Sequence, residues 1–419
     1  MFIFRSAIPL LFALFAGVSI LISGCQAEPN QEVPELSWFV YNEPSGAFRQ
    51  AAEYCSQQSS GRYRIDVKPL PTDADLQREQ LVRRLAAKDR HIDIIGMDVI
   101  WTAEFAEAGW ILPWPKTAAE RISEGRLSAT IESARYKNDL WASPFTANAQ
   151  MLWYRNDRVK NLPGTWNELI AEAEILGNPG ALQIQGQRYE GLTVFFISLL
   201  ASAGGQVLEP DGQTVSLAKA PTLATLTLMK RIATSSAADP GLSSSREDQG
   251  RLAFETGKPT FMINYSFVWP SAQKNAPKIA TNMAFSRWPS IDKTHPSRVA
   301  IGGLNLAIGA YTQQPDFAFE AAECLASAPN QIRAAELGGL PPTLAALYDA
   351  DEVRRIFPFA DVLRDTLRNG VVRPQTPVYN DISLAISRTL HPMDAIEPAA
   401  DALKLRRAVQ RALNSEGLM

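Results

Sequence analysis

The sequence predicts a mixed α/β protein of two lobes, each a sheet flanked by helices and joined by a hinge. Three observations carry that expectation. Short β-rich runs alternate with helical stretches early in the chain, and a β-α-β-α-β order implies a parallel sheet with right-handed crossovers. A second β-rich unit begins near Trp141, and the apolar, glycine-rich run Ala300 to Ala310 has the flavour of the first unit again. At 419 residues the chain has ample material for more than one core.

The elements follow in order. Leu36 to Tyr41 (LSWFVY) is a short β-rich run, and a helical stretch follows from about Ala47 to Ser59. Arg62 to Val67 alternates like a strand, and Asp75 to Ala87 carries Leu76, Leu81, Leu85 and Ala86 at helical spacing. Ile92 to Gly96 reads as a buried strand. Ligands of such sheets bind beyond the C-terminal strand ends, which singles out the loops 42–46, 70–77 and 97–102. Farther on, Pro144 biases Ser143 to an extended conformation, suited to a strand crossing between lobes. Gln150 to Tyr154 is a strand, and Thr165 with Glu168 forms a capping box that opens a helix through Leu176. A helix at Phe317 to Ala326 follows the glycine-rich run. The expected lobes are 34–145 with 298–336, and 146–297 with 337–419.

The N-terminus stands apart from this body. Arg5 precedes an apolar stretch from Ala7 to Ile22, and Ser23 and Gly24 are small, the pattern of a secretory signal peptide over residues 1–24. Ile22-Ser23-Gly24-Cys25 resembles the bacterial lipobox, in which the Cys is acylated on its thiol and becomes the new N-terminus. The competing reading is an uncleaved transmembrane anchor. Residues 25–33 would be the lipidated Cys25 and a polar tether containing Pro29. Val194 to Ala203 is too short to span a bilayer. The expected location is outside the cytoplasm, lipid-anchored to the outer face of the cytoplasmic membrane. There Cys55 and Cys324, each on a helical segment, are free to form a disulfide or to remain two buried thiols.

Composition works by exclusion. Lys and Arg number 41 against 44 Asp and Glu, a formal charge of -3, without the basic excess of a nucleic-acid binder. Three Cys and three His leave little for a metal site, and no cofactor is expected. HExxH, GxSxG, CxxC and GxxxxGKS/T are absent, which disfavours the enzymes that use them. A secreted glycoside hydrolase needs only two carboxylates flanking a bond. Asp93 and Asp98 could be paired so, but Asp93 lies in the strand pattern and reads as structural. Arg155, Asp157 and Arg158 read as a solvated turn.

Several stretches in series resemble the bacterial extracellular solute-binding proteins (family 1) that deliver sugars to ABC importers. They are YNEPSGAF, HIDIIGMDVIWTAEFAEAGWILPW, WASPFTANAQMLWYRND, LPGTWNELI, RLAFETGKPTFMINYSF and IGGLNLAI, in that order across nearly the whole chain. Within that family, DVIWTAEFAEAGW, RLAFETGK, IGGLNLA and VVRPQTPVY are most similar to the mycobacterial trehalose-binding lipoproteins. The resemblance implies a two-lobed, periplasmic-binding-protein-like fold of type II closing on one sugar. It also implies a docking surface for permease subunits, and we expect a monomer. Carried over motif by motif, the sugar contacts fall at Glu43, Gln77, Asp98, Asn148, Glu247, Tyr265, Gly339 and Arg373. Those lipoproteins carry Trp at the position of Tyr265, and the stretch between Pro270 and Val299 is shorter in this chain.

The residue types suit a disaccharide. Ionised Asp or Glu accepts from adjacent hydroxyls, Asn and Gln both donate and accept, and Arg donates in a planar fork. An aromatic face covers the C–H side of a ring. The expected ligand is a disaccharide, trehalose first, with maltose-like oligosaccharides or glycerophosphodiesters as the alternatives in the same class. Taken singly the residues have plainer readings: Asp98 as a helix cap, Glu247 and Arg373 as surface charges, and Tyr265 as core.

Overall fold

The computed structural model describes residues 33–416. The signal peptide, Cys25 and all but the last residue of the tether lie outside the described residues. Strands β1 (Glu35–Tyr41), β2 (Arg64–Leu70) and β3 (Ile94–Asp98) form a parallel set with β1 in the middle. The short β4 (Ile111–Leu112) and the small hairpin of β5 (Arg135–Tyr136) and β6 (Asp139–Leu140) follow. Then come β7 (Ala142–Asn148), β8 (Met151–Arg155), β9 (Leu182–Gln183), β10 (Phe261–Asn264), β11 (Met283–Ser286) and β12 (Gly302–Gly309). The first sheet is ordered β2-β1-β3-β12-β4 with β7 paired to β12, and the second is ordered β11-β8-β10-β9.

Leu36 to Val40 are all buried, so β1 is covered on both faces, as a central parallel strand must be. Glycine lets β3 lie close beside it, since a methyl at Gly96 would stand 2.5 Å from Val40 Cγ2. The crossover helices are Ala47–Gln58 and Ala74–Ala86. Asp93 is structural, as its place in the sequence pattern suggests. Its carboxylate accepts from the Ser37 amide at 2.8 Å and from the Thr312 hydroxyl, tying β1 to the turn after β12.

The return of the chain is visible in the ladders. β12 runs antiparallel to both β3 and β7, inserting a late segment into the early sheet. Its residues Leu304 to Ile308, with Ala318 to Ala334, share the core of Trp38, Phe48, Phe105 and Phe145. The other core gathers Trp153, Trp166, Phe195, Phe261 and Phe359, together with the C-terminal helices. β7 passes between the cores, with Phe145 in one and Ala147 in the other. The capping box at Thr165 and Glu168 forms as expected, each side chain bonding the other's backbone amide.

Two details differ from the sequence reading. β3 begins two residues later than expected and therefore ends on Asp98, because its ladder with β12 extends to the Asp98–Leu304 pair. Arg155 is not in a solvated turn. Its guanidinium is buried, forks onto Asp157 at 2.8 and 2.6 Å, and with Arg158 grips the Gly257 carbonyl. The charge is buried because it is paired at once with its near neighbour.

Cys55 and Cys324 form a disulfide between the helices Ala47–Gln58 and Pro315–Leu325, across 269 residues of sequence. A cross-link over so long a loop restricts the unfolded chain. Replacing both cysteines with Ser is expected to cost about 2–5 kcal/mol, measured by denaturant titration. An unchanged midpoint would show that the bridge adds nothing to stability.

Candidate functional site

The chain from Gly186 to Glu190 leads into the helix Glu190–Ser202, whose residues Gly191 to Ser202 are all buried. A helix apolar all round belongs inside a lobe, and a single carboxylate, Glu190, stands at its first position. The partial positive charge of a helix N-terminus favours an acid there. Glu190 accepts from Arg373 Nη1 at 2.8 Å and from the hydroxyls of Tyr379 and Ser383. Arg373 lies in the segment Val371–Gln375, held to the rest of the chain by backbone bonds to Val299 and Ile301.

The other end of the Arg373 fork reaches the first sheet. Arg373 Nη2 donates to Asp98 Oδ1 at 3.2 Å, and the Arg side chain is only 6% exposed. Asp98 sits at the C-terminal end of β3, where its other bond, from the Ile100 amide at 3.1 Å, caps the turn Val99–Trp101. It therefore caps and pairs at once. Burial alone would lower the Arg373 pKa, but the facing Asp98, Tyr379 and Glu190 raise it, so the guanidinium stays charged. Its Nε is buried with no hydrogen-bond partner. Arg373 also lines a cavity of about 310 Å³ together with Gln206, Glu209 and Arg298.

Tyr265 follows β10 directly. The Asn264 side chain sets its place, accepting from the Tyr265 amide and donating to the Glu247 carbonyl, both at 2.9 Å. Burial raises the Tyr265 pKa, and the charges of Glu247, Glu190 and Asp98 add to the rise against Arg373. Glu247 opens the helix Glu247–Glu255. The structure thus gathers Asp98, Glu247, Tyr265 and Arg373 into one electrostatic neighbourhood. Beside them Arg246 donates from Nε to Gln187 at 2.6 Å and lies over the Tyr189 ring, 4.5 Å from its centroid. Burial, and then Glu247, push the Tyr189 hydroxyl pKa up. Asp75, on the helix Ala74–Ala86, lies in the field of Arg246 and Asp98.

The remaining residues named from sequence are placed otherwise. Glu43 accepts from Ser45 Oγ at 2.6 Å and from the Ser45 and Ala47 amides, and so shapes its own loop. It faces the end of the helix Ala328–Gly338, since a methyl at Gly338 would lie 3.4 Å from its Oε1. Gly339 ends that helix at φ 62° and its carbonyl accepts from Ser266 Oγ at 3.4 Å. Gln77 is buried and donates to the Thr72 carbonyl at 3.3 Å. Asn148 pairs with Gly302 across the β7–β12 ladder. Sequence reasoning missed Glu190, Tyr189, Arg246, Asn264 and Tyr379. One signal was present: a lone acid heading an otherwise apolar helical run.

Two lobes on separate sheets, with charged side chains of each meeting between them, define the two-lobed fold of periplasmic binding proteins of the maltose-binding type. A maltose-bound protein from T. maritima superposes with a TM-score of 0.79 over 90% of this chain and 99% of its own, at 23% identity. The GacH receptor of Streptomyces glaucescens gives the same TM-score over 91% and 98%, at 20% identity. Residues 53–332 match the family model of the bacterial extracellular solute-binding proteins, and the chain belongs to that family. A probable ABC transporter-binding protein of Deinococcus radiodurans is 28% identical over 78% of this chain and 81% of its own. The mannitol-binding protein of Pseudomonas aeruginosa is 24% identical over 76% and 75%.

Asn148 gives a prediction on placement. A methyl at Gly302 would meet Asn148 Oδ1 at 2.2 Å, so Gly302→Ala should displace that side chain and shift its amide NMR signals. Gly303 has φ 142°, and its added methyl would meet the Thr146 carbonyl oxygen at 2.2 Å. Gly303→Ala should therefore lose stability by at least the roughly 1–3 kcal/mol of a strained backbone position. Equal effects of the two substitutions on the unfolding midpoint would contradict this packing.

Proposed function

We propose that this chain is the substrate receptor of an ABC sugar importer. In this reading Cys25 carries the lipid that holds it to the outer face of the cytoplasmic membrane, and it acts as a monomer. It captures a disaccharide, trehalose foremost, between lobes 34–145 with 298–336 and 146–297 with 337–419. It then hands the sugar to permease subunits driven by a cytoplasmic ATPase. The observation that carries the reading is the bond between Asp98 of the first sheet and Arg373 of the second lobe, with Tyr265 in the field of both. A ligand that bonds to both sides binds the closed arrangement better than the open one, and so shifts the population toward closure.

The chemistry matches an uncharged polyol. Asp98 and Glu247 would accept from ring hydroxyls, the Arg373 fork would donate, and Tyr265 would lie against a C–H face. A hydroxyl left unmatched in such a site costs about 1–3 kcal/mol, so epimers and linkages are told apart by what fails to pair. The names of the mannitol-binding relative and of a diacetylchitobiose-binding relative from Streptomyces coelicolor support a polyhydroxyl ligand. The motifs shared with trehalose-binding lipoproteins support trehalose. Maltose-like oligosaccharides are the second reading, supported by the maltose-bound structural neighbour. Glycerophosphodiesters are less well matched, because the Arg373 fork already faces two carboxylates.

Calorimetry on the purified mature chain with trehalose, maltose, sucrose and glycerophosphocholine tests the reading. Heat of binding with trehalose is expected; silence with every sugar at millimolar concentration would overturn it. Asp98→Ala should weaken binding at least tenfold, about 1.4 kcal/mol, and wild-type affinity in that variant would remove Asp98 from the contacts. Long incubation with the bound disaccharide should release no monosaccharide, whereas sustained release would make the protein a glycoside hydrolase.

A further inference from the structure

Arg373 is an unusual buried cation because both ends of its fork are taken by acids of different origin. Asp98, at the tip of the first sheet, takes Nη2 at 3.2 Å, and Glu190, at the head of a buried helix, takes Nη1 at 2.8 Å. Asp98 is 29% and Glu190 30% exposed, while the Arg side chain between them is nearly sealed. Glu190 is itself fixed from behind by the Tyr379 and Ser383 hydroxyls, both on the helix Tyr379–Leu390. Ser383 Oγ also bonds Thr193 Oγ1 at 3.1 Å, on Glu190's own helix, so the two helices are tied together at the carboxylate.

Two consequences follow. With one end held by an acid anchored in the second lobe, the plane of the guanidinium is set before anything binds. The three ionised groups together carry one net negative charge, although the central residue is a cation. An arginine left without the second acid would attract phosphate or carboxylate, for which its fork is well shaped. An arginine between two acids keeps its donor geometry for a hydroxyl and offers no net positive charge to an anion. The neighbouring Glu247 adds to the negative side.

We propose that Glu190 is a positioning and specificity-determining residue: it orients Arg373 toward the inter-lobe ligand and makes the cleft select uncharged saccharides over their phosphate esters. This rests on the sugar-receptor reading above, and on no contact between Glu190 and the ligand. It separates two properties. Selectivity against an anion depends on the charge at position 190, whereas affinity for the neutral sugar depends on the reach of the side chain.

The experiment compares the wild-type mature chain, Glu190→Gln and Glu190→Asp by calorimetry with trehalose and trehalose 6-phosphate. In Glu190→Gln the ratio of trehalose to trehalose 6-phosphate affinity should fall at least tenfold. In Glu190→Asp the ratio should stay within threefold of wild type, even if both affinities drop. A wild-type ratio in Glu190→Gln overturns the proposal. The Arg373 Nε–H NMR signal, identified by its loss in Arg373→Lys, supplies a ligand-free readout. Because orientation depends on reach, it should move in Glu190→Asp, whose carboxylate falls short of Nη1, and stay closer to its wild-type position in Glu190→Gln. If the wild-type protein binds no saccharide, the functional reading falls, and this signal alone decides whether Glu190 positions Arg373. Should either variant fail to fold, Tyr379→Phe removes one hydrogen bond to Glu190 and should also move this signal. An unmoved signal there would overturn the positioning role.

Discussion

The ion pair between Arg373 and Asp98 is the contact on which the functional geometry depends. Burying a guanidinium is costly unless it is paired and hydrogen-bonded, and removing one partner from such a pair is more damaging than never having built it. Arg373 solves this with an acid from each side, Glu190 from its own lobe and Asp98 from the other. The pair therefore does more than stabilise one lobe. It joins a strand end of the first sheet to the C-terminal part of the chain, at the place where ligands of α/β sheets bind.

The rest of the architecture brings those three residues together. Asp98 reaches its position because β12 returns from late in the chain and extends the β3 ladder to its last residue. Glu190 reaches its position because the helix behind it is too apolar to lie anywhere but inside a lobe. Arg373 is placed by a segment whose backbone bonds to Val299 and Ile301, the residues leading into β12. One return of the chain thus serves both the first sheet and the Arg373 segment. Tyr265 and Glu247 are tied to each other by a single amide side chain, that of Asn264.

Local chemistry was readable from the sequence where neighbours along the chain decide the outcome. The βαβαβ order, the Thr165 capping box and the glycine-rich β12 all follow from spacing and turn chemistry. Long-range pairing was not readable in that way. Glu190 and Arg373 are 183 residues apart, and nothing in either segment alone names its partner. Asp98 looked like a helix cap, and it is one, but its second role needs the other lobe. Arg155 looked solvated because charged residues follow it, whereas the Gly257 carbonyl it bonds lies about a hundred residues onward. The grouping of Asp98, Glu247, Tyr265 and Arg373 rests on motif resemblance, and the folded chain adds the bond between Asp98 and Arg373.

The central claim is that Asp98 and Arg373, from opposite lobes, grip one uncharged sugar between them. A crystal structure of the mature chain grown with trehalose tests it most directly. The account predicts one disaccharide with hydroxyls within hydrogen-bond distance of Asp98 and Arg373, a ring against Tyr265, and Arg373 still bonded to Glu190. Sugar bound elsewhere, or bound with Asp98 and Arg373 both turned away from it, would contradict the account.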